Sequence, residues 1–313
     1  MSAASIDLVQ RARRERLAFL ALAAGALAIA FAPIFVRLSE IGPLGTAFWR
    51  PLLAMPMLWL WLAATPGETP AHTPMTRRDL ALFVLAGLCF AGDLGFWHFS
   101  IALTSVANAT LLPNTAPIFV TLMAWLIFRE RVTRLFLAGM AVAFFGMAVL
   151  MGDSLTISRD TLLGDGLSIV TAFFYGCYFL VVERLRRRHG PARILFWSSL
   201  FTALILLPAL ALSGEPWLAV TATGWLVLAG LAALSHAGGQ GLIAYALAHL
   251  SATYVSVALL LQPVAAAFLA WVLLAEPLGP VQALGGAIVL GGVFIARRGR
   301  RRPASAESMV VAP

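Results

Sequence analysis

The chain has 313 residues, 61% of them hydrophobic and only 12% charged, with a mean hydropathy of +0.90. A water-soluble domain of this length is nearer half apolar and a quarter charged, so the solvent for most of this chain is lipid. The net charge of +8 comes from 22 basic residues, all arginine, set in short clusters between apolar runs. That distribution sets membrane orientation and argues against a nucleic-acid partner.

Residues 1–16 form a polar, basic N-terminus carrying Arg11, Arg13, Arg14 and Arg16. The apolar run from Leu17 to about Leu38 is too long for the core of a signal peptide, and no clear cleavage site follows it. It reads as a retained first helix. A membrane-spanning helix needs about 20 apolar residues. Nine more runs of that kind follow, near 43–64, 80–101, 105–128, 133–152, 164–183, 192–213, 222–247, 252–274 and 278–296. The tail, 298–313, is basic and then small and polar, a composition expected to be disordered. Cys89 and Cys177 lie inside apolar runs, with no CxxC site, and read as small packing residues.

Ten helices place both termini on one side of the membrane. The segments then assigned to the inside hold 19 of the 22 arginines, and the outside loops hold only Arg37 and Arg159. Arginine accumulates on the cytoplasmic side, so the bias predicts ten spans with both termini inside.

The residues from Ser105 to Glu130 repeat from Ser251 to Glu276 at an offset of 146 without a gap. Pro117 meets Pro263, Trp125 meets Trp271 and Glu130 meets Glu276. At the same offset Gly92 and Gly95 meet Gly238 and Gly241, and Gly139 and Gly146 meet Gly285 and Gly292. Helices 1–5 (17–157) therefore repeat as helices 6–10 (158–297). Five is odd, so the second copy enters the membrane from the opposite side. The basic FRERVTR loop of the first copy becomes LAEPLGP in the second, which has no arginine. The expected fold is all-α, ten transmembrane helices in two inverted five-helix repeats, a design found in secondary transporters.

The stretches PIFVRL with GPLGTAFWR, then IALTSVANATLLPNTAPIFVTLMAWLIFRERV, then AYALAHLSATYVSVALLLQPVAAAFLAWVLLAEPLG, resemble two EamA domains. Together they are similar to transporters of the drug/metabolite transporter superfamily over about residues 17–297. The resemblance implies a central cavity among helices 1–4 and 6–9, with helices 5 and 10 at the periphery. It also implies export of amino acids, including aromatic ones, or of other small metabolites.

Polar side chains are expensive inside a membrane, so each needs a reason. Asp93 is the acid placed well inside a span. It either binds a substrate ammonium or a proton, or is a neutral packing residue. Trp97 is four residues on and shares its face, an arrangement suited to an amine or an aromatic group. His98 points elsewhere and is expected near the outer interface. His236 and Gln240 share a face of helix 8 and either line the cavity or bond between helices. Asn108 and Asn114 on helix 4 cannot share one face, so at most one points at substrate. Tyr175 and Tyr178 on helix 6, and Tyr254 and Gln262 on helix 9, are further candidates. Arg50 is expected to be structural, snorkelling or paired with an acid at the rim such as Glu40. Pro117 and Pro263 are expected to bend helices 4 and 9 as gates, with Glu130 and Glu276 at the gate rim.

No nucleophile with a nearby base, Walker motif or HExxH is present, so the chain is expected not to be an enzyme. The expected function is amino-acid or metabolite export by alternating access across a bacterial inner membrane. A multidrug or organic-cation exporter on the same fold is the alternative, and a membrane-embedded enzyme or a channel is further off. The expected partners are a small-molecule substrate and the lipid bilayer, with no nucleic acid, cofactor or metal, and a monomer as the working unit.

Overall fold

The computed structural model describes residues 3–65, 75–104, 106–152, 161–274 and 279–299. All regular structure there is helical: α1 (Ala3–Ala30), α2 (Ala32–Arg37), α3 (Pro43–Ala64), α4 (Arg77–Leu103), α5 (Val106–Leu111), α6 (Ala116–Phe128), α7 (Arg134–Met151) and α8 (Leu162–Arg186). Then come α9 (Pro191–Ser213), α10 (Ala222–Gly230), α11 (Gly241–Ala246), α12 (Ala252–Ala258), α13 (Leu261–Leu274) and α14 (Pro280–Gly299). A 3-10 turn, Leu112–Thr115, joins α5 to α6, and a π-helical segment, Leu231–Gln240, joins α10 to α11.

Local chemistry sets the starts. α3 and α9 both begin at a Gly-Pro pair, with Gly42 and Gly190 extended and proline in the first turn. Proline costs nothing there because that N–H has no helical partner. α4 begins with a capping box: Asp79 N–H donates to Thr76 Oγ1 at 3.1 Å, and Thr76 N–H donates to Asp79 Oδ2 at 3.0 Å. Thr133, Thr221 and Ser251 cap α7, α10 and α12 through their hydroxyls. α6 stops at Arg129, whose φ of 55° is left-handed and closes the helix.

Nine helices among the described residues are long and apolar enough to cross a membrane, and Leu112–Phe128 forms a shorter apolar one. Helix 4 is thus not the continuous span expected over 105–128. Pro113 sits in the 3-10 turn and Pro117 in the first turn of α6, where their missing N–H groups interrupt the ladder. Its repeat mate is broken at the matching place, since α12 ends at Ala258 and α13 starts at Leu261. The side of the bundle facing lipid is apolar: Trp59, Ile127, Phe145 and Leu226 are all more than half exposed. Trp125 and its repeat mate Trp271 are exposed at 55% and 49%. Both lie on the lipid side.

The packing maps onto itself when the halves are exchanged. α4 packs on α8 as the π-segment and α11 pack on α1; α6 packs on α8 as α13 packs on α1. α3 packs on α9 and α7 on α14, each on its own repeat mate. The α7–α14 seam is backbone against backbone. A Cβ on Gly139 would stand 2.3 Å from Ala296 N, and one on Gly292 2.4 Å from Ala143 N. Gly146 and Gly285 repeat this against Val289 and Leu150. The order of these contacts makes α7 and α14 antiparallel. Small residues allow such close approach, and dispersion and packing rather than hydrophobic exclusion hold the seam in lipid.

Outside α1, and apart from Arg37 and Arg50, the described arginines stand at or near helix ends, at the starts of α4 and α7 and the ends of α6, α8 and α14 among them. Arg188 at the end of α8 pairs with Asp79 at the start of α4 at 3.1 Å. Thr133 before α7 donates to Gly299 O at the end of α14. The opposite end is tied by two carboxylates. Glu215 accepts from Leu44 N–H (2.9 Å) and Gly45 N–H (3.1 Å), and Glu40 accepts from Val220 N–H (3.1 Å) and Thr221 N–H (3.0 Å). The Thr221 hydroxyl, and then these N–H groups, hold the Glu40 carboxyl below the usual carboxylate range.

Candidate functional site

A cavity of about 110 Å3 opens between the two halves. At about 10–15 Å3 of such volume per water, it has room for several waters or a small solute. Four interruptions of regular helix converge on it. The α1–α2 joint brings Ile29, Ala30, Ala32 and Pro33 to its wall, the 3-10 turn brings Pro113 and Asn114, the end of the π-segment brings Gln240, and the start of α13 brings Gln262 and Pro263. Irregular backbone at membrane depth is tolerated where it lines a cavity, so the breaks and the cavity explain one another.

The polar groups are few. Asp93 and Trp97 come from α4, Arg50 from α3, and Thr171 and Tyr175 from α8. Asp93 lies 16 residues into α4, about 24 Å along its axis from the arginine-rich end at about 1.5 Å per residue. The cavity therefore sits in the middle and far half of the bundle. Toward the arginine end the interior is shut: every residue from Ala252 to Leu260 is buried.

Arg50 is 4% exposed, and its Nε has no hydrogen-bond partner. Its guanidinium lies 5.9 Å from the centroid of the Phe90 ring. Arg50 and Asp93 act on each other electrostatically, yet they close no ion pair within 4 Å among the described residues. The Tyr175 hydroxyl stands beside the amides of Gln240 and Gln262. Gln240 Oε1 and Gln262 Nε2 are buried without a partner of good geometry. The cavity thus presents a guanidinium, a carboxyl group and the amides of Gln240 and Gln262 among a few hydroxyl and amide groups and apolar side chains. Trp97 is fixed by donating Nε1–H to Ala109 O at 3.0 Å, which also ties α4 to α5.

Of the residues singled out in the sequence, Asp93, Trp97, Tyr175, Gln240 and Gln262 line this one cavity; Asn108, Tyr178, His236 and Tyr254 do not. Asn108 donates Nδ2–H to Asp165 Oδ1 at 2.9 Å, a contact to α8 that turns it away, and Asn114 is the asparagine at the wall. Tyr178 is 2% exposed and packs on Phe90 with centroids 4.8 Å apart. His236 bonds Ser199 through Nε2 at 2.7 Å and lies against Phe90 at 5.3 Å, one turn from Gln240 and off the cavity. Tyr254 is buried and meets Phe19 edge-on at 5.6 Å. His98 lies toward the end of α4 away from the arginine-rich end and is 1% exposed, with Nδ1 2.6 Å from Leu94 O.

Arg50 corrects the sequence reading most directly. It neither snorkels nor meets Glu40, because Glu40 is spent on the backbone before α10 while Arg50 turns inward from seven residues inside α3. The signal was available: arginine within an apolar run has to face something polar or wet. Asp165, the partner of Asn108 and of Thr104 (2.6 Å), was also missed, since its partners lie 57 and 61 residues away.

Pro117 is buried in the first turn of α6, and Pro263 is both buried and at the cavity wall. Glu130 stands beside Thr253 of α12 at the shut end, and burial raises its carboxyl above the usual range. Glu276 lies outside the described residues. Burial likewise lowers His189 and His249, at the same end, below the ordinary histidine value. No cluster of three or more metal-ligating side chains occurs among the described residues.

An all-helical, multi-pass fold closed around a solute-sized, charged cavity defines a membrane transporter. The EamA-like transporter family model matches residues 16–152 and again 162–298, and the chain belongs to that family. A "Probable terminal-alkyne amino-acid exporter" of Streptantibioticus cattleyicolor is 30% identical over 290 residues, 89% of this chain and 93% of its own. An "Uncharacterized transporter" of Archaeoglobus fulgidus is 28% identical over 276 residues, 84% of this chain and 91% of its own. A "Probable amino-acid metabolite efflux pump" of Salmonella typhimurium is 29% identical over 240 residues, 72% of this chain and 80% of its own. A crystal structure aligns with 93% of this chain and 98% of its own, at a TM-score of 0.74 and 17% identity, which shows a shared fold. The chain is a transporter and not an enzyme.

Proposed function

We propose that the chain exports amino acids, or closely related small amphipathic metabolites, across a bacterial inner membrane by alternating access. One observation carries this: Arg50 and Asp93 face one cavity without neutralising each other directly. An α-amino acid bears both complementary charges, so its carboxylate would meet Arg50 and its ammonium Asp93, with charge-assisted bonds at each end. Trp97, Leu94 and Ile29 would then surround an apolar or aromatic side chain. The two relatives named as an amino-acid exporter and an amino-acid metabolite efflux pump support the substrate class and the direction. A buried arginine in the wall disfavours a simple organic cation.

The antiparallel α7–α14 seam and the exchange symmetry of the packing support ten spans in two inverted repeats, divided near residue 157. The arginine-rich end would face the cytoplasm, with both termini inside. On that reading the cavity, which lies away from the arginine-rich end, is toward the outer half, and the buried arginine-rich end is the shut cytoplasmic side. Rocking of the halves, with the breaks in α5–α6 and α12–α13 as hinges, would expose the site to the other side. Purified protein in liposomes preloaded with an amino acid tests the proposal. Saturable counterflow of the labelled, unmodified compound is expected; flux that never saturates, or uptake confined to permanent cations, overturns it.

A further inference from the structure

The chain carries a second cavity, apart from the transport site. It measures about 190 Å3 and lies where the end of α8 meets the start of α4. Arg78, Arg184, Arg187 and Arg188 surround it, with Asp79 as the one acid in the wall. Asp79 is 2% exposed and already engaged: it accepts from Thr76 N–H (3.0 Å), Thr76 Oγ1–H (2.7 Å) and Arg188 Nη1–H (3.1 Å). It therefore spares the other guanidiniums. Among the described residues the side chains of Arg78 and Arg184 make no hydrogen bond or ion pair, and the Arg187 guanidinium only feels the charge of Glu183.

We infer that this cavity seats the phosphate of an anionic membrane lipid. Guanidinium forks match phosphate oxygens bidentately, and several of them converging on one small space form a phosphate cradle. The position selects a lipid over a free anion. Arg78 and the four arginines of 184–188 stand at helix ends that the arginine distribution places at headgroup depth, where basic pockets between spans collect anionic lipids. Leu82, in the cavity wall, lies one turn along α4 from Arg78, and Leu85, 41% exposed, lies two turns along. They continue the same helix face toward the membrane interior and give an acyl chain somewhere to lie. A lipid so bound would join α4 of one half to α8 of the other and brace the shut end.

The test is thermal unfolding of the full chain in a neutral detergent, followed by tryptophan fluorescence, with three additives: phosphatidylglycerol, phosphatidylcholine and inorganic phosphate. A ligand that binds only the folded form raises Tm in a saturable way. Phosphatidylglycerol is expected to do so, and phosphatidylcholine and inorganic phosphate at equal concentration are not. The Arg184→Ala/Arg187→Ala variant is expected to keep the lipid-free Tm and to need at least about tenfold more phosphatidylglycerol for the same shift, as loss of one charge-assisted contact implies. If that variant fails to fold, Arg78→Gln, at an exposed helix start, is expected to need about three- to tenfold more. Equal shifts with phosphatidylcholine, a full shift with inorganic phosphate alone, or an unchanged titration in the folded variants each overturn the inference.

Discussion

Replacing Asp93 by asparagine keeps the volume of the side chain and removes one of the two charges at the cavity. Asp93 makes no ion pair within 4 Å among the described residues, so a bound ammonium would be its partner rather than a competitor for an existing one. A hydrogen bond to a charged group is worth about 1.5–3 kcal/mol. Its loss should raise the KM for an amino acid by about 10- to 100-fold, since about 1.4 kcal/mol is tenfold. The substitution also leaves Arg50 as the only charge there. N-acetylated amino acids, which keep the carboxylate and lack the ammonium, should then be carried as well as before or better. The assay is counterflow in liposomes with each compound, with tryptophan fluorescence to confirm folding. An Asp93→Asn protein with unchanged KM for amino acids, or one that loses both classes equally while folded, would refute the assignment.

The remaining expectations concern scaffold and shut end. Gly146→Leu should lower Tm by a few degrees, because its Cβ would lie 2.5 Å from Val289 N, a backbone atom that cannot step aside. Overpacking costs about 1–3 kcal/mol, and at about 2.1 cal/mol/K of unfolding entropy per residue each kcal/mol is worth about 1.5 °C in a chain of 313 residues. Gly166→Ala is the control, since nothing lies within 4 Å of that Cβ, and its Tm should hold or rise slightly. Burial raises the Glu130 carboxyl, so the folded state holds that proton more tightly than the unfolded chain does. Its contribution is fully present below the ordinary carboxylate pKa and is lost as pH rises through the raised value. Glu130→Gln should flatten the pH dependence of Tm over that window and raise Tm above it by about 1–3 °C; a wild-type-like pH profile in the variant contradicts this.

Several features were legible because they depend on local periodicity alone. The offset of 146 carries the duplication, and the glycines it pairs, Gly139 with Gly285 and Gly146 with Gly292, are those that line the α7–α14 seam. Asp93 and Trp97 share a face by helical geometry, and both reach the cavity. Prolines show the limit of such reasoning. Pro113 and Pro117 mark a real break, whereas Pro51, Pro56 and Pro208 sit inside continuous helices. A proline removes one donor wherever it stands, and whether the helix parts there depends on what packs around it.

By itself, then, the sequence determined an all-helical chain dissolved in lipid, duplicated, with its arginines biased to one side. Those properties follow from composition, period and charge, which each residue contributes independently of its distant neighbours. Tertiary structure decided which polar groups meet. His236 is held off the cavity by Ser199, Asn108 by Asp165, and Arg50 is turned inward to face Asp93 from another helix. These outcomes depend on depth and rotation between helices far apart in the chain, and lipid leaves no water to satisfy a polar group that misses its partner.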